Sequence, residues 1–349
     1  MATEIKGHDK QRIEHIDALK GFAIFCVLWG HSVQYLRNGY DFFHNPVFEF
    51  IYSFHMPLFF MISGFFFRSS LKLSLKDFLL KKGIQLILPC IVWGAITYFL
   101  GLVFTGFAQN EHSSFVWFSE LKMVYSPGKW PWFLRELFIS YFIVYVSLKI
   151  FKKDWLACLL SILFVMFEPH SGFQRTYLIV FWAGIFLKNN YPFISKYMKQ
   201  ILAISAVTFV ACLFFWDGSY HVTGFPVLLN IKLWSINFTN MSIPVFRVFI
   251  GIIGSLFWFM LFYNFYKDNG FFIFLGKIGV HTLAIYLLQR MILENLLPQI
   301  MNLSCLNIWA YNLIITPLIA LGVLSISMII IKFVQKNKYA DLLLFGKKY

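Results

Sequence analysis

The chain has 349 residues, of which 59% are hydrophobic, 21% aromatic and only 13% charged, and its formal net charge is +14. A soluble globular protein carries about 25% charged residues, so this composition excludes an ordinary soluble domain. The positive charge does not indicate nucleic-acid binding, because Lys and Arg cluster in short gaps between long apolar stretches. Such gaps are typical of a multi-pass membrane protein.

Apolar stretches long enough to cross a bilayer recur along the chain. A helical span needs about 20 predominantly apolar residues. We therefore predict an all-α integral membrane protein with about ten transmembrane helices around a central cavity, at residues 18–36, 46–67, 84–107, 132–150, 155–167, 176–187, 201–216, 244–266, 282–297 and 308–334. The fifth and sixth are short, and the count falls to eight if they join as a re-entrant pair.

The segments between the spans predict the orientation. With the N-terminus inside, 21 Lys and Arg residues fall in cytoplasmic segments and five fall outside. The positive-inside rule then places both termini in the cytoplasm and the protein in the plasma (inner) membrane. The predicted organisation is a cytoplasmic segment over 1–17, a polytopic domain over 18–334 and a cytoplasmic tail over 335–349.

The outside segments 108–131 and 217–243 are rich in aromatic residues, which is typical of an interfacial belt or of sugar stacking.

The first span has ionisable residues along one face. Lys20 and His31 are eleven residues apart, which places them within about 20° of each other and about 16 Å apart along the helix axis. Asp17 lies one turn before Lys20. Ionisable groups at membrane depth are costly and are therefore functional candidates. Asp17 is alternatively an N-cap, and Lys20 alternatively extends its amine to the interface, whereas His31 is far from both interfaces.

A second histidine, His55, lies in the next span. Counted from Pro46, it is about 14 Å deep, close to the depth of His31, which enters from the other side. The two imidazoles are therefore expected to face one cavity. Pro57 in the same span loosens the backbone where a cavity needs room.

Later spans contain further charged residues. Arg135 and Glu136 lie about one turn inside the fourth span, where they either bind an acceptor or form an ion pair that joins helices. Arg290 and Glu294, four residues apart, are interpreted as a structural pair on one helix face. The five cysteines show no metal-ligand spacing, so no metal site is predicted.

Three motifs carry a family resemblance: RIEHIDALKGFAIFCVLWGH, FHMPLFFMISGFFF and WPWFLRELF, in this order. The chain resembles, over nearly its whole length, the acyltransferase-3 family of polytopic membrane O-acyltransferases, particularly the fucose 4-O-acetylase-like branch. Many members have an Arg in the first helix and, eleven residues later, a His tied to catalysis. Lys20 and His31 match those positions, although Lys supplies a point charge where Arg supplies a bidentate fork.

The resemblance implies transfer of an acyl group, commonly acetyl from acetyl-CoA, to a hydroxyl of a cell-surface or lipid-linked glycan. His31 is then a general base or a transient acyl carrier, with Lys20 as its catalytic partner near the donor. His55 is expected to orient His31, stabilise the oxyanion or relay a proton. Asp17, Arg135 and Glu136 are candidate substrate-binding residues.

The expected partners are acyl-CoA as a donor substrate, the glycan acceptor and membrane lipids, with no bound cofactor and no nucleic acid. The basic segment 68–82 either recruits the phosphates of coenzyme A or sets topology and contacts anionic lipid. The oligomeric state is open. The main alternative function is a proton-coupled secondary transporter or exporter that uses the same buried Lys and His residues, and a third is a non-catalytic partner in a glycan-assembly complex.

Overall fold

The computed structural model describes residues 14–104, 131–168, 172–226, 229–230, 235–236 and 240–347. Regular structure in these ranges is almost entirely helical. The α-helices are α1 (Glu14–Tyr35), α2 (Pro46–Phe65), α3 (Leu75–Lys82), α4 (Leu88–Phe104), α5 (Trp132–Phe151), α6 (Asp154–Phe167), α7 (Gln174–Asn189), α8 (Tyr191–Ile194), α9 (Met198–Leu213), α10 (Ser242–Phe265), α11 (Gly270–Gly279), α12 (Thr282–Gln289), α13 (Leu297–Ile300), α14 (Ile308–Ala310), α15 (Thr316–Val334) and α16 (Lys338–Phe345).

Shorter elements join these helices. Three wide-turned π-helical segments continue α3, α12 and α14, at Gly83–Ile87, Arg290–Leu296 and Tyr311–Ile315, and 3₁₀ turns occupy Phe42–His44, Phe67–Lys72, Ser195–Tyr197 and Gly218–Val222. The strands β1 (Leu229–Asn230) and β2 (Ser235–Ile236) form one antiparallel pair, with Leu229 opposite Ile236. The fold is therefore the predicted all-α class with one minimal hairpin.

Six helices in the described ranges are long and apolar enough to cross a membrane: Glu14–Tyr35, Pro46–Phe65, Leu75–Thr97, Tyr191–Leu213, Ser242–Phe265 and Ile308–Val334. A seventh candidate is the pair Gly270–Gly279 and Thr282–Ile300, which is bent by 69° at its break. The prediction of a multi-pass membrane protein is confirmed. The count of ten stays a prediction.

Several helix boundaries differ from the predicted spans, while the division into cytoplasmic segment, membrane domain and tail stays a prediction. Helix α1 begins at Glu14, so residues 14–17 of the predicted cytoplasmic segment are helical, and residues 1–13 lie outside the described ranges. Helices α6 and α7 are separate, at Asp154–Phe167 and Gln174–Asn189. The predicted tail contains the helix Lys338–Phe345. The aromatic segment 108–131 lies outside the described residues except for its last residue.

The start of α2 is fixed locally. Asn45 is its N-cap, and the side-chain oxygen accepts hydrogen bonds from the backbone amides of Val47 and Phe48. Pro46 follows at the first helical position, where its missing N–H has no intrahelical partner to lose. Pro57 is accommodated inside the same helix.

Helices α1 and α2 pack against each other and occupy the centre of the molecule, with α1 packed on α11 and α2 packed on α7. Both outer contacts use glycines. A Cβ at Gly21 or Gly279 would overlap a backbone carbonyl of the partner helix at the α1–α11 contact, and Gly64 and Gly184 play the same role between α2 and α7. Small residues allow membrane helices to approach backbone to backbone. These contacts hold α1 and α2 at fixed spacing, and both helices line the cavity described below.

Gly64→Ala is expected to destabilise the protein, because the added methyl group has no space between α2 and α7. Overpacking of this kind costs about 1–3 kcal/mol. Gly322→Ala in α15 is the matched control, since a Cβ there meets no atom within 4 Å. Thermal unfolding of the detergent-solubilised variants measures the effect. Equal unfolding temperatures for the two variants would contradict the proposed backbone contact.

Candidate functional site: a cavity along the first helix and a buried histidine

A cavity of about 260 Å³ lies between α1, α2, α5, α12 and the segment that joins α3 to α4. On α1 it is lined by Lys20, Ile24 and Val27, which recur at helical spacing along the face predicted from the sequence. His31 is the next residue of that face, about 6 Å further along the axis than Val27. The cavity therefore leads from Lys20 towards His31.

His31 faces an ion pair on the segment that follows α12. Its Nδ1 is 3.2 Å from Oε1 of Glu294, and Oε2 of Glu294 accepts a 3.0 Å hydrogen bond from Nε of Arg290. All three side chains are only about 13–15% exposed. The predicted Arg290–Glu294 pair is present, and in addition it connects to His31. Arg290, Glu294 and His31 are called the buried triad below.

The charges of the buried triad favour one tautomer of His31. An ionised carboxylate only accepts hydrogen bonds, so a neutral imidazole that faces Glu294 carries its proton on Nδ1. The lone pair is then on Nε2. In the structure Nδ1 is close to Glu294 but is not aligned for a hydrogen bond. Catalytic hydrogen bonds are often long or misaligned without substrate and shorten in the complex.

Lys20 and Asp17 form an ion pair at the other end of the α1 face. The Nζ of Lys20 is 2.7 Å from Oδ1 of Asp17, one turn away on the same helix. Lys20 lines the cavity, whereas Asp17 is not among the lining residues. The structure thus places Lys20 and His31 along one face of α1, and Asp17 next to Lys20.

His55 is buried, with 2% of its surface exposed. Neither His55 nor His31 is among the residues that line the cavity, so the expectation that both imidazoles face it is not met. Its Nδ1 donates a 2.8 Å hydrogen bond to the carbonyl oxygen of Ile51 on its own helix. The ring of Tyr52 contacts both histidines, with centroid distances of 4.6 Å to His55 and 6.3 Å to His31. The tyrosine hydroxyl donates to Oε1 of Gln34 at 2.7 Å. Tyr52, which sequence reasoning missed, is the side chain that links the two imidazoles.

Residues 217–226, the first described stretch of the predicted outer segment, are held against the helices by two buried arginines. Arg247 donates to the carbonyl oxygen of Thr223 at 2.7 Å, and Arg175 donates to that of Phe225 at 3.0 Å. The contacts of Arg247 are those of a residue that fixes the position of this loop.

The same loop places a third imidazole near the site. His221 packs on Tyr52 and Phe48, with ring centroids 4.9 and 5.2 Å away. Its Nδ1 donates a 2.6 Å hydrogen bond to the carbonyl oxygen of Gly218. Burial lowers the pKa of His221 to about 4, so the ring is neutral at pH 7 with its lone pair on Nε2. No motif in the sequence distinguished this histidine.

Arg135 and Glu136 form the ion pair that the sequence allowed. The Nη2 of Arg135 is 2.7 Å from Oε1 of Glu136, whose Oε2 accepts a 2.7 Å hydrogen bond from Gln174 of α7. Gln174 also accepts from Ser140 at 2.9 Å. This network joins α5 to α7 and lies outside the cavity lining. Acceptor binding by Arg135 and Glu136 stays a prediction.

Comparison with known proteins identifies the family. The sequence matches the acyltransferase-3 family, described as an acyltransferase domain, over residues 13–333. The chain belongs to this family. Segments of it also resemble two proteins named nodulation protein NolL. The one from Sinorhizobium fredii (strain NBRC 101917 / NGR234) is 37% identical over 83 residues, 23% of this chain and 23% of that protein.

The NolL protein from Mesorhizobium japonicum (strain LMG 29417 / CECT 9101 / MAFF 303099) is 39% identical over 87 residues, 24% of this chain and 23% of that protein. These matched segments therefore span less than a quarter of either relative. No solved structure matches the chain.

The family match spans nearly the whole chain, so the location of the site rests on the geometry of the cavity and of the buried triad. Sequence reasoning found His31 and Lys20 from their shared helix face but assigned Glu294 only to Arg290. The sequence feature that could have indicated a further partner is the depth of Arg290 and Glu294 in their span, because charged residues in the middle of a span need partners inside the protein.

Breaking the buried triad is expected to reveal coupling between Arg290 and Glu294. Arg290→Met and Glu294→Gln should each destabilise the protein by about 3–5 kcal/mol, because each leaves one charge without its buried partner. The double variant should lose much less than the sum. Unfolding in detergent of the four proteins of this cycle gives the coupling. Additive losses would show that the two side chains do not interact.

Proposed function

We propose that this protein transfers an acetyl group from acetyl-CoA to a hydroxyl of a cell-surface or lipid-linked glycan. The observation that carries the proposal is the buried triad, placed one helical turn beyond a cavity whose opposite end contains Lys20. Membership of the acyltransferase-3 family supports acyl transfer over the transporter alternative. Acetyl, acetyl-CoA and the glycan acceptor are the specific elements of the proposal.

In the proposed reaction, Nε2 of His31 removes the proton of the acceptor hydroxyl. The oxygen attacks the thioester carbonyl, the C–S bond of the tetrahedral intermediate breaks, and the departing thiolate takes the proton from the His31 imidazolium. Glu294 stabilises the imidazolium that forms, and Arg290 compensates the carboxylate when His31 is neutral. If His31 instead accepts the acyl group transiently, the same Nε2 lone pair is the nucleophile.

The proposed entrances lie at opposite ends of the α1 face. The donor enters at the Lys20 end from the cytoplasm, and the acceptor approaches His31 from the end at which His55, Tyr52 and His221 cluster. Aromatic rings at that end offer flat apolar surfaces that pack on sugar rings. The neutral His221 contributes a hydrogen-bond acceptor for a sugar hydroxyl.

His31→Gln is expected to lower acetyl transfer by about 10²–10⁴-fold, because an amide cannot act as a general base. The assay is transfer of radiolabel from acetyl-CoA to glycan in inverted membrane vesicles, with protein amounts matched by blotting. His44→Gln is the matched control, since that side chain is 65% exposed and contacts Asp41. Near-normal transfer by a well-expressed His31→Gln protein would remove His31 from the mechanism.

We further propose that both termini are cytoplasmic and that the protein lies in the plasma (inner) membrane. The distribution of Lys and Arg supports this orientation. A dual reporter fused after Tyr349 is expected to be active in the cytoplasmic mode only. An extracytoplasmic signal from this fusion would require an odd number of spans or an inverted N-terminus.

A further inference from the structure

Lys82 is a buried cation on the wall of the cavity. Only 8% of the residue is exposed, and it lies among the lining residues. Its Nζ donates to Oε1 of Gln85 at 3.3 Å and lies 3.7 Å from the centre of the Tyr141 ring. Among the residues that the structure describes, no carboxylate lies within ion-pair distance of this ammonium group.

A buried ammonium group without a counter-ion is costly. An amide oxygen and the face of an aromatic ring offset part of that cost and fix the position of the amine. They do not neutralise its charge. Lys20, on the same cavity, differs because Asp17 already compensates it. The uncompensated positive charge of the cavity wall in the described residues is therefore that of Lys82.

The polar lining residues of the cavity concentrate at one end. Lys20, Ser63, Lys82, Gln85 and Thr282 lie near the first turns of α1 and α12, the last turn of α2 and the end of α3. Towards His31 the lining is mainly apolar and aromatic, from Ile24, Val27, Met56, Phe59, Phe133 and Leu137. This lining suits a ligand with an anionic group at the polar end and a less polar portion along the apolar lining.

The size of the cavity limits how much of a ligand it holds. Pockets that enclose a drug-sized molecule have volumes of about 300–1,000 Å³, and this cavity has about 260 Å³. It accommodates the arm of an acyl-CoA but not the nucleotide. Phosphoryl groups that follow the arm would then lie at the polar end, where Gln85 is exposed and Lys82 is hydrogen-bonded to it.

We propose that Lys82, positioned by Gln85 and Tyr141, binds a phosphoryl group of the acyl donor and so directs the thioester along the cavity towards His31. The assignment of this phosphoryl group to coenzyme A rests on the proposed function. A phospholipid headgroup offers the same chemistry at this position. Lys82 is a binding residue in this proposal and takes no part in the chemical step.

The test compares two donors that share the thioester and the arm but differ in the phosphorylated nucleotide, which only one of them contains. Acetyl-CoA and S-acetylpantetheine both contain the thioester and the arm, and S-acetylpantetheine lacks every phosphoryl group. Binding of each is measured at equilibrium to the purified full-length protein in a phosphate-free, non-ionic detergent. Lys82→Gln is expected to raise the Kd for acetyl-CoA by about 10–100-fold, the effect of losing one bond to a charged group. Its Kd for S-acetylpantetheine should equal that of the wild type.

Two further variants complete the design. Lys81→Gln removes the same charge from the adjacent, exposed position, and it should leave both Kd values unchanged. Lys82→Arg keeps the cation and should retain most of the affinity for acetyl-CoA. If Lys82→Gln does not fold, the affinity of Lys82→Arg still tests the proposal. Equal weakening of both donors in Lys82→Gln, or no change in either, would overturn the proposal.

The remaining outcomes separate this site from the proposed function. Lys82-dependent binding of acetyl-CoA by a protein that transfers no acetyl group in vesicles would support the site and overturn the function. Active transfer with binding that does not depend on Lys82 would overturn the site alone. If added phosphatidylglycerol, and not acetyl-CoA, raises the unfolding temperature through Lys82, the phosphoryl group belongs to a lipid and the donor assignment is wrong.

Discussion

The low dielectric of the membrane interior is the constraint on which the site depends. A charged side chain at that depth needs a partner within the protein. Arg290 and Glu294 meet this need for each other, and Glu294 also faces His31, so the arrangement that compensates the charges also orients the histidine. The pair lies in the π-helical segment Arg290–Leu296. Wide turns of this kind are frequent at functional sites, because they place side chains where a regular helix would not.

The backbone contacts of α1 and α2 give this arrangement its rigidity. Gly21 and Gly279 allow α11 to lie directly on α1. Helix α12 follows α11 after a sharp bend. The contact of α11 with α1 therefore also fixes where α12 begins. Gly64 and Gly184 fix α2 on α7 in the same manner. In a membrane, apolar surface alone gives little preference between neighbouring helices, since lipid is equally apolar. Close backbone packing supplies the specificity, and the cavity is the space that remains between helices fixed in this way.

The two ends of the α1 face differ in charge and polarity, and this difference is suited to binding two substrates of different chemical character. Near Lys20 and Lys82 the cavity is cationic, and beyond Val27 it leads to a histidine surrounded by aromatic rings. A loop fixed by Arg175 and Arg247 adds His221 to this end. Under the proposed function, the donor and the acceptor approach His31 from these two different ends.

The sequence by itself determined the membrane class, the helical fold, the face of α1 that contains Lys20 and His31, and the family. These follow from composition, apolar length and spacing along one helix, which are local properties of the chain. Only the tertiary structure decided the partners. It places Glu294 next to His31, 263 positions away in the chain. Lys82 lies in the cavity wall while the adjacent Lys81 is exposed. His55 donates to a carbonyl of its own helix, and Glu136 accepts a hydrogen bond from Gln174. Periodicity states which face of a helix a residue occupies, but the neighbour of that face is set by how helices pack, and that depends on backbone contacts between segments far apart in the chain.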